Sequence, residues 1–207
     1  MQGVLAHPID AKYHSKSAFG DTRQSLALIE PVVRENDVVL DVGCGSAYVA
    51  WELARRHAIK VLAVDIVDSR RVATPHFAFF DGVSLPFEDR SCDVVVLSFV
   101  LHHVPNEAKP KLMEEVRRIS RRDVIVLEDT PRNFIDRYFN RRHGRQFQAS
   151  IKSELPFGFF SQEQWETWFS AHGFQVRTST RISRFARDWQ QPYARSCFVL
   201  QPGAGSP

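Results

Sequence analysis

Val38-Val39-Leu40-Asp41-Val42-Gly43-Cys44-Gly45-Ser46-Ala47 is an apolar run that carries an acid near its end and closes on two glycines one residue apart. An apolar run of that length bounded by glycines suits a parallel strand covered on both faces. Gly43 and Gly45, having no Cβ, let the backbone turn tightly and a ligand come close. Beyond them, Val61-Leu62-Ala63-Val64-Asp65 is a second apolar strand ending in an acid, and His76-Phe77-Ala78-Phe79-Phe80-Asp81-Gly82 is a third. Between the first two, Ala47, Ala50, Trp51, Ala54 and Ala58 keep helical spacing, which predicts an amphipathic crossover. Such strands lie parallel, so Asp41, Asp65 and Asp81 gather at one crevice at the carboxyl ends of the sheet. The plainer reading is that each acid caps a loop.

Asp41 separates the ligands that could fill that crevice. A dinucleotide lays its pyrophosphate over this turn, at the positive end of the next helix, where a carboxylate would repel it. The dinucleotide pattern G-x-G-x-x-G/A also needs a small residue where this chain has Tyr48. S-adenosylmethionine instead presents an ammonium and a sulfonium, and a carboxylate favours both. Asp65 is then placed to accept hydrogen bonds from both ribose hydroxyls.

With these features the chain resembles the class I S-adenosylmethionine-dependent methyltransferases, over about Asp37 to Leu200. The family's acid followed by G-x-G-x-G matches at Asp41, Gly43 and Gly45, with Ala47 in place of the third glycine. The resemblance implies that Asp41, Gly43, Cys44 and Gly45 form the cofactor turn, that Asp65 holds the ribose and that Ile66 packs on the adenine. It implies too that Asp81 accepts from the adenine amino group and that Gly82 offers its backbone N–H. The stretch from Ser84 to Val104 is similar to the small-molecule, type 11-like branch, with Ser98 where the fourth strand meets the cofactor. The implied fold is α/β, a Rossmann-like doubly wound sheet of seven strands in the order 3-2-1-4-5-7-6, mostly parallel with a carboxyl-terminal antiparallel strand.

The remaining pattern agrees with a single domain spanning residues 1–207. Residues 1–36 are expected to cover the cofactor, with Tyr13 near the sulfonium, where an aromatic ring gains cation–π attraction. Asn106 is placed to cap a helix carrying Leu112, Met113, Val116 and Ile119. The strand Val124–Leu127 comes next and ends at Glu128 and Asp129. Residues 130–160 are too long for an ordinary loop and predict an insertion or lid with helices of its own. Ser161 and Gln164 form a capping box, with Phe160 and Trp165 as its hydrophobic staple, on a helix that ends at Gly173. Phe174–Ser183 and Ser196–Leu200 read as antiparallel neighbours, and 201–207 as a flexible tail.

Composition narrows the classes. The net charge of +3, from 27 basic and 24 acidic side chains, is too small to argue for nucleic acid by itself. Cys44, Cys92 and Cys197 are odd in number and scattered, which suits reduced thiols in a cytoplasmic protein. No apolar stretch reaches the length of a membrane span and the first residues do not read as a charged-then-apolar leader, so a soluble, unexported protein is expected. Charge is uneven, however: Arg132, Arg137, Arg141, Arg142 and Arg145 interleave with Phe134, Tyr138, Phe139 and His143. That stretch could grip a phosphate, a polyanion such as a nucleic acid, which is not favoured, or a membrane surface; the plainer reading is a lid with solvated arginines and aromatics packed down.

Methyl transfer needs an acceptor aligned behind the methyl group, and a base only where the acceptor must lose a proton. His102 and His103 come after the fourth strand, imidazole being the side chain whose ordinary titration falls near neutral pH, and His103 is favoured for proximity to ligand. Glu128, with Asp129 beside it, could orient a cationic acceptor. A metal held by these four side chains is disfavoured, because adjacent residues point in different directions. Base-amine methylation is disfavoured, since Ser98-Phe99-Val100-Leu101 replaces the expected Pro-Pro-aromatic element, and no cysteine sits in a Pro-Cys context for cytosine C5 chemistry. The resulting expectation is a methyltransferase for a small-molecule or lipid-like acceptor. The alternatives are an RNA or protein methyltransferase docking through Arg132–Arg145, and an inactive cofactor-binding regulator. The sequence assigns no oligomeric state.

Overall fold

The computed structural model describes residues 16–74, 76–151, 158–182 and 194–203. Helix α1 (Lys16–Ile29) precedes β1 (Val38–Val42), α2 (Tyr48–Arg56), β2 (Lys60–Asp65), β3 (Phe77–Phe79) and β4 (Cys92–Ser98). A 3₁₀ turn (Leu101–His103) leads to α3 (Lys109–Ile119), β5 (Ser120–Asp129), α4 (Phe134–Ile151), α5 (Gln162–Ala171), β6 (Phe174–Ile182) and β7 (Arg195–Pro202). The seven strands form one sheet in the order β3-β2-β1-β4-β5-β7-β6. β1 to β5 run parallel, and β7 enters antiparallel between β5 and β6. This is the expected order and direction of pairing.

Period-two alternation sends neighbouring side chains to opposite faces. Leu40, Val42, Val95, Leu97, Val124 and Val126 pack with Leu112, Met113, Val116 and Ile119 of α3 and Trp165 and Phe169 of α5. Val39, Val61, Ala63, Val94, Val96, Ile125 and Leu127 face Leu26 and Ile29 of α1 and Ala50 and Leu53 of α2. Strands covered on both faces explain why the sequence shows continuous apolar runs.

Several local expectations need correction. The buried stripe of α2 is Ala50 and Leu53; Ala54 is exposed, and Ala58 lies beyond the C-cap at His57. Leu26 and Ile29 of α1 are core residues on the sheet face, so this half of the expected cover is structural. Asn106 does not cap α3: the helix starts behind Ala108, and the Asn106 carboxamide oxygen accepts from Lys109 Nζ at 2.5 Å. Gln201 and Pro202 belong to β7, paired with Gln175 and Phe174, so the expected tail starts later. The capping box at Ser161 is present as expected, and the Phe160 and Trp165 rings lie 4.7 Å apart.

The amino ends of the strands are held by a charge clasp. Arg122 Nη1 and Nη2 donate to both Asp37 carboxylate oxygens at 2.9 and 2.7 Å, and Nη2 also donates to the Val32 carbonyl at 3.2 Å. Burial opposes the Asp37 charge, but Arg122 and the Arg34 backbone N–H outweigh it and hold the carboxyl below its ordinary value. A bidentate geometry of this kind fixes orientation as well as charge. It leaves the carboxyl ends as the place for chemistry.

Candidate active site

The turn after β1 is built on left-handed backbone. Gly43 (φ 69°), Gly45 (φ 50°) and Ala47 (φ 63°) all have positive φ. A Cβ on Gly43 would lie 2.6 Å from Val100 Cγ2, whereas one on Gly45 would meet nothing within 4 Å. The first glycine therefore admits the segment after β4, and the second borders open space. Ala47 carries the strain of a left-handed alanine, about 1 kcal/mol. Its methyl is fully buried beside Tyr48 and Val72, away from the space over Gly45. Gly43→Ala should lower unfolding stability by about 3 kcal/mol, left-handed strain plus overpacking, and Gly45→Ala by about 1 kcal/mol. Urea titration of the two variants checks this ordering.

Asp41 is 2% exposed, and its Oδ2 meets no hydrogen-bond donor among the described residues. Burial pushes its carboxyl up to about 7, the Asp65 charge adds to this, and the Ala50 backbone N–H at the start of α2 opposes it. Asp65 Oδ2 accepts the Gly45 N–H at 2.8 Å, and its Oδ1 accepts from Ile66 and Val67 at 2.7 and 3.3 Å. The second carboxylate thus braces the first turn while Oδ2 keeps a lone pair for a further donor. Ile66 is 54% exposed, and a Cβ on Gly82 would come within 3.6 Å of its Cγ2. Asp81 lies beyond the end of β3, exposed, with Oδ1 accepting from Val83 and Ser84 at 2.8 and 2.6 Å. It caps its own loop, in line with the plainer reading of the sequence, and those two N–H groups hold its carboxyl below the ordinary value.

At the tip of β4 the chain leaves the sheet through Phe99 (φ 60°), a strained conformation for an aromatic residue. Its N–H donates to Leu127 O at 2.8 Å, and the Arg195 guanidinium lies 4.3 Å from its ring centroid. This sharp exit presses Val100 on Gly43 and brings Leu101 and His102 to Glu128. Glu128 Oε1 accepts the Leu101 N–H at 2.6 Å, and Oε2 lies 2.5 Å from His102 Nδ1. With the carboxylate as acceptor, Nδ1 carries the proton and Nε2 presents its lone pair. Both side chains are buried, at 1% and 0% exposure. Burial alone would lower the imidazole, but Glu128 and Asp129 outweigh it and raise His102 above its ordinary value. Neither His102 Nε2 nor Ser98 Oγ meets a hydrogen-bond partner among the described residues.

The dyad has a closed surround. The His102 ring stacks on Phe159 at 5.0 Å, and the half-buried His103 ring lies 4.0 Å from it. Lys109 is fully buried, its amino group 5.4 Å from the Phe160 ring centroid, and burial lowers it against the pull of Glu128. Asp129 accepts from Arg195 Nε at 3.1 Å in a second buried pair.

The chain that carries this crevice of carboxyl-end acids, with its open glycine turn and half-exposed aliphatic platform, is similar to known proteins in sequence and in fold. The profile described as a methyltransferase domain matches residues 14–179. The chain belongs to the methyltransferase-domain family. Its class is the S-adenosylmethionine-dependent one, and S-adenosylmethionine is its cofactor. The domain is similar to the ribosomal protein L11 methyltransferase of Thermotoga maritima, 29% identical over 109 residues, 51% of this chain and 41% of that protein. It is similar to the demethylmenaquinone methyltransferase of the same organism, 27% identical over 157 residues, 70% of this chain and 66% of that protein. The chain spans 41% of the length of the L11 methyltransferases it matches. In fold it is similar to a SAM-dependent methyltransferase from Methanosarcina mazei, with a TM-score of 0.65 and 18% identity over 86% of this chain and 97% of that one.

The methyltransferase residues fit the cofactor's chemistry on four observations: the space over Gly45, the donor-free Oδ2 of Asp41, the Asp65 carboxylate and the exposed Ile66. Of the residues expected at the site, Tyr13 lies outside the described residues. Among the described residues no three His, Cys, Asp or Glu side chains are grouped to hold a metal. Among them, too, no helix is long and apolar enough to cross a membrane. The plainer reading, in which the aromatics of the arginine stretch pack down, does not hold for Phe134 and Tyr138, which are 80% and 63% exposed. Val100, Phe99 and Arg195 also shape the site, and the sequence barely marks them. The first two read simply as a continuation of the apolar run from Val94 to Leu101, interrupted only by Ser98.

Proposed function

We propose that this methyltransferase domain acts on a small, lipid-like acceptor whose reacting group gives up a proton. The observation that carries the reading is the Glu128-held His102 with an unmet Nε2, at the strand tip whose Val100 closes on the cofactor turn. When bound, S-adenosylmethionine supplies the electrophilic methyl group. Asp41 offers a buried negative charge to its cationic end, Asp65 accepts from the ribose, and Ile66 with Gly82 borders the adenine. Cys44 contributes its backbone; burial and the neighbouring carboxylates keep its thiol protonated. Ser98 adds a hydroxyl at the tip of β4. Glu128 fixes the tautomer of His102, and His102 takes the acceptor's proton at Nε2. The sequence favours His103 for that part, but the Glu128 contact moves the assignment to its neighbour.

The similarity to a methyltransferase named for demethylmenaquinone supports a quinone-like acceptor. The L11 relatives are named for a ribosomal protein, and a protein acceptor is the second reading, favoured by the exposed arginines of α4. Incubation with methyl-labelled cofactor and a panel of quinols, phenols, ribosomal proteins and RNA tests the readings together. Label in a quinol or phenol supports the first; label in protein or RNA alone displaces it. Cofactor binding with no transfer to any acceptor would favour a regulatory domain. Asp65→Asn should weaken S-adenosylmethionine about tenfold to a hundredfold by calorimetry, the worth of a charge-assisted hydrogen bond. An unchanged affinity would remove Asp65 from the site.

A further inference from the structure

The outward face of α4 is apolar at its start and cationic along its length. Phe134, Ile135 and Tyr138 are 80%, 50% and 63% exposed, and Arg137, Arg141, Arg142 and Arg145 are exposed beside them. At about 100° per residue these positions share one side of the helix. Asp136 and Asn140, 3% and 0% exposed, lie on the other side. Asp136 is the single acid of α4, and its Oδ2 accepts the Arg132 N–H at 3.0 Å, so no carboxylate interrupts the outer row. A lid that served only to close the crevice would turn its rings inward, yet here two rings and an isoleucine face out.

We propose that this face docks the domain on an anionic lipid bilayer. Phe134, Ile135 and Tyr138 enter the headgroup boundary while the arginines rest on lipid phosphates, the arrangement of an interfacial amphipathic helix. A single-stranded nucleic acid is the weaker fit. Its binders stack bases on aromatics along a charged groove, whereas this surface is a convex helix with an aliphatic side chain among its rings. α4 comes after the tip of β5, where Glu128 and Asp129 lie, so docking sets the rim of the crevice against the membrane. The proposal goes beyond the acceptor assignment and is tested without cofactor or acceptor.

The experiment is co-sedimentation of the full chain with phosphatidylcholine vesicles, with and without about 30 mol% phosphatidylglycerol. Binding is expected to the anionic vesicles, to weaken as salt rises, and to be slight with phosphatidylcholine alone. Arg141→Gln with Arg142→Gln should reduce partitioning about 30-fold, about fivefold for each arginine. Phe134→Ser with Tyr138→Ser should also release the protein, while both double variants keep the parent's circular dichroism and S-adenosylmethionine affinity. No sedimentation with anionic vesicles overturns the proposal, as does binding that neither double variant reduces. Tighter binding to single-stranded RNA than to vesicles, abolished by the arginine variant, would assign the face to RNA instead.

Discussion

Asp41→Asn is expected to make the ligand-free protein more stable above neutral pH while weakening its grip on S-adenosylmethionine. The Asp41 carboxyl is raised from 3.8 to about 7 by burial and by Asp65. Between those values the folded state keeps a proton that the unfolded chain has released, so stability falls as pH rises through this window. Above it the full penalty stands, on the order of 4 kcal/mol. Asparagine has the same shape and no charge. The variant should therefore melt at least about 5 °C higher than the parent at pH 8, with the gap closing near pH 4. Calorimetry should show cofactor affinity at least about tenfold weaker at pH 8, because a buried carboxylate facing a cation has been lost. In the parent, cofactor binding should release a proton near neutral pH, visible as a dependence of the measured enthalpy on buffer. A variant that melts lower at pH 8, or binds the cofactor unchanged, would show that this acid is met by the protein itself.

His102→Asn is expected to cut turnover by about a hundredfold to ten-thousandfold, with cofactor affinity within about twofold of the parent. Glu128→Gln separates a role in proton transfer from one in packing. In the parent, kcat/KM should rise with pH through a value above the ordinary imidazole range, because Glu128 and Asp129 raise His102 and only its neutral form accepts a proton. Without the Glu128 charge burial prevails, and that limb should move down by at least about one pH unit. The stability linkage runs the other way. A raised histidine stabilises the fold fully below its unfolded value near 6.5, and the contribution fades as pH rises through its folded value. His103→Ala should cost far less than His102→Asn. A large loss on His103→Ala with a competent His102→Asn would return the base role to His103. A loss on Glu128→Gln with no movement of the pH limb would leave the dyad a structural pair.

How legible each feature is in the sequence depends on the range of the interaction behind it. Strands β1, β2 and β4 announce themselves because both faces are covered, and Asp41 and Asp65 are conspicuous as charges at the ends of apolar runs. The capping box at Ser161 is a contact within three residues and reads directly. The crossover helix α2 shows the limit. Alanine fits either side of a helix, so Ala54 suggests a buried stripe that Leu53 in fact occupies. Phe99 reads as one more apolar residue, although its positive φ is what turns the chain toward the crevice. His102 and Glu128 meet across 26 positions, and no local pattern says which histidine the acid takes. The aromatics of α4 read as inward because periodicity gives the sides of a helix but not which side looks out.

The division of labour along the chain has a consequence for engineering. On the proposed assignment, groups that receive the methyl donor come from residues 38–82, and those that meet the other reactant come from the 98–128 stretch and the segment after it. The Arg122 clasp secures the opposite pole of the molecule irrespective of either. Grafting a foreign 130–160 segment should therefore retarget the domain without disturbing its donor half, which makes it a candidate chassis for interchangeable acceptor modules.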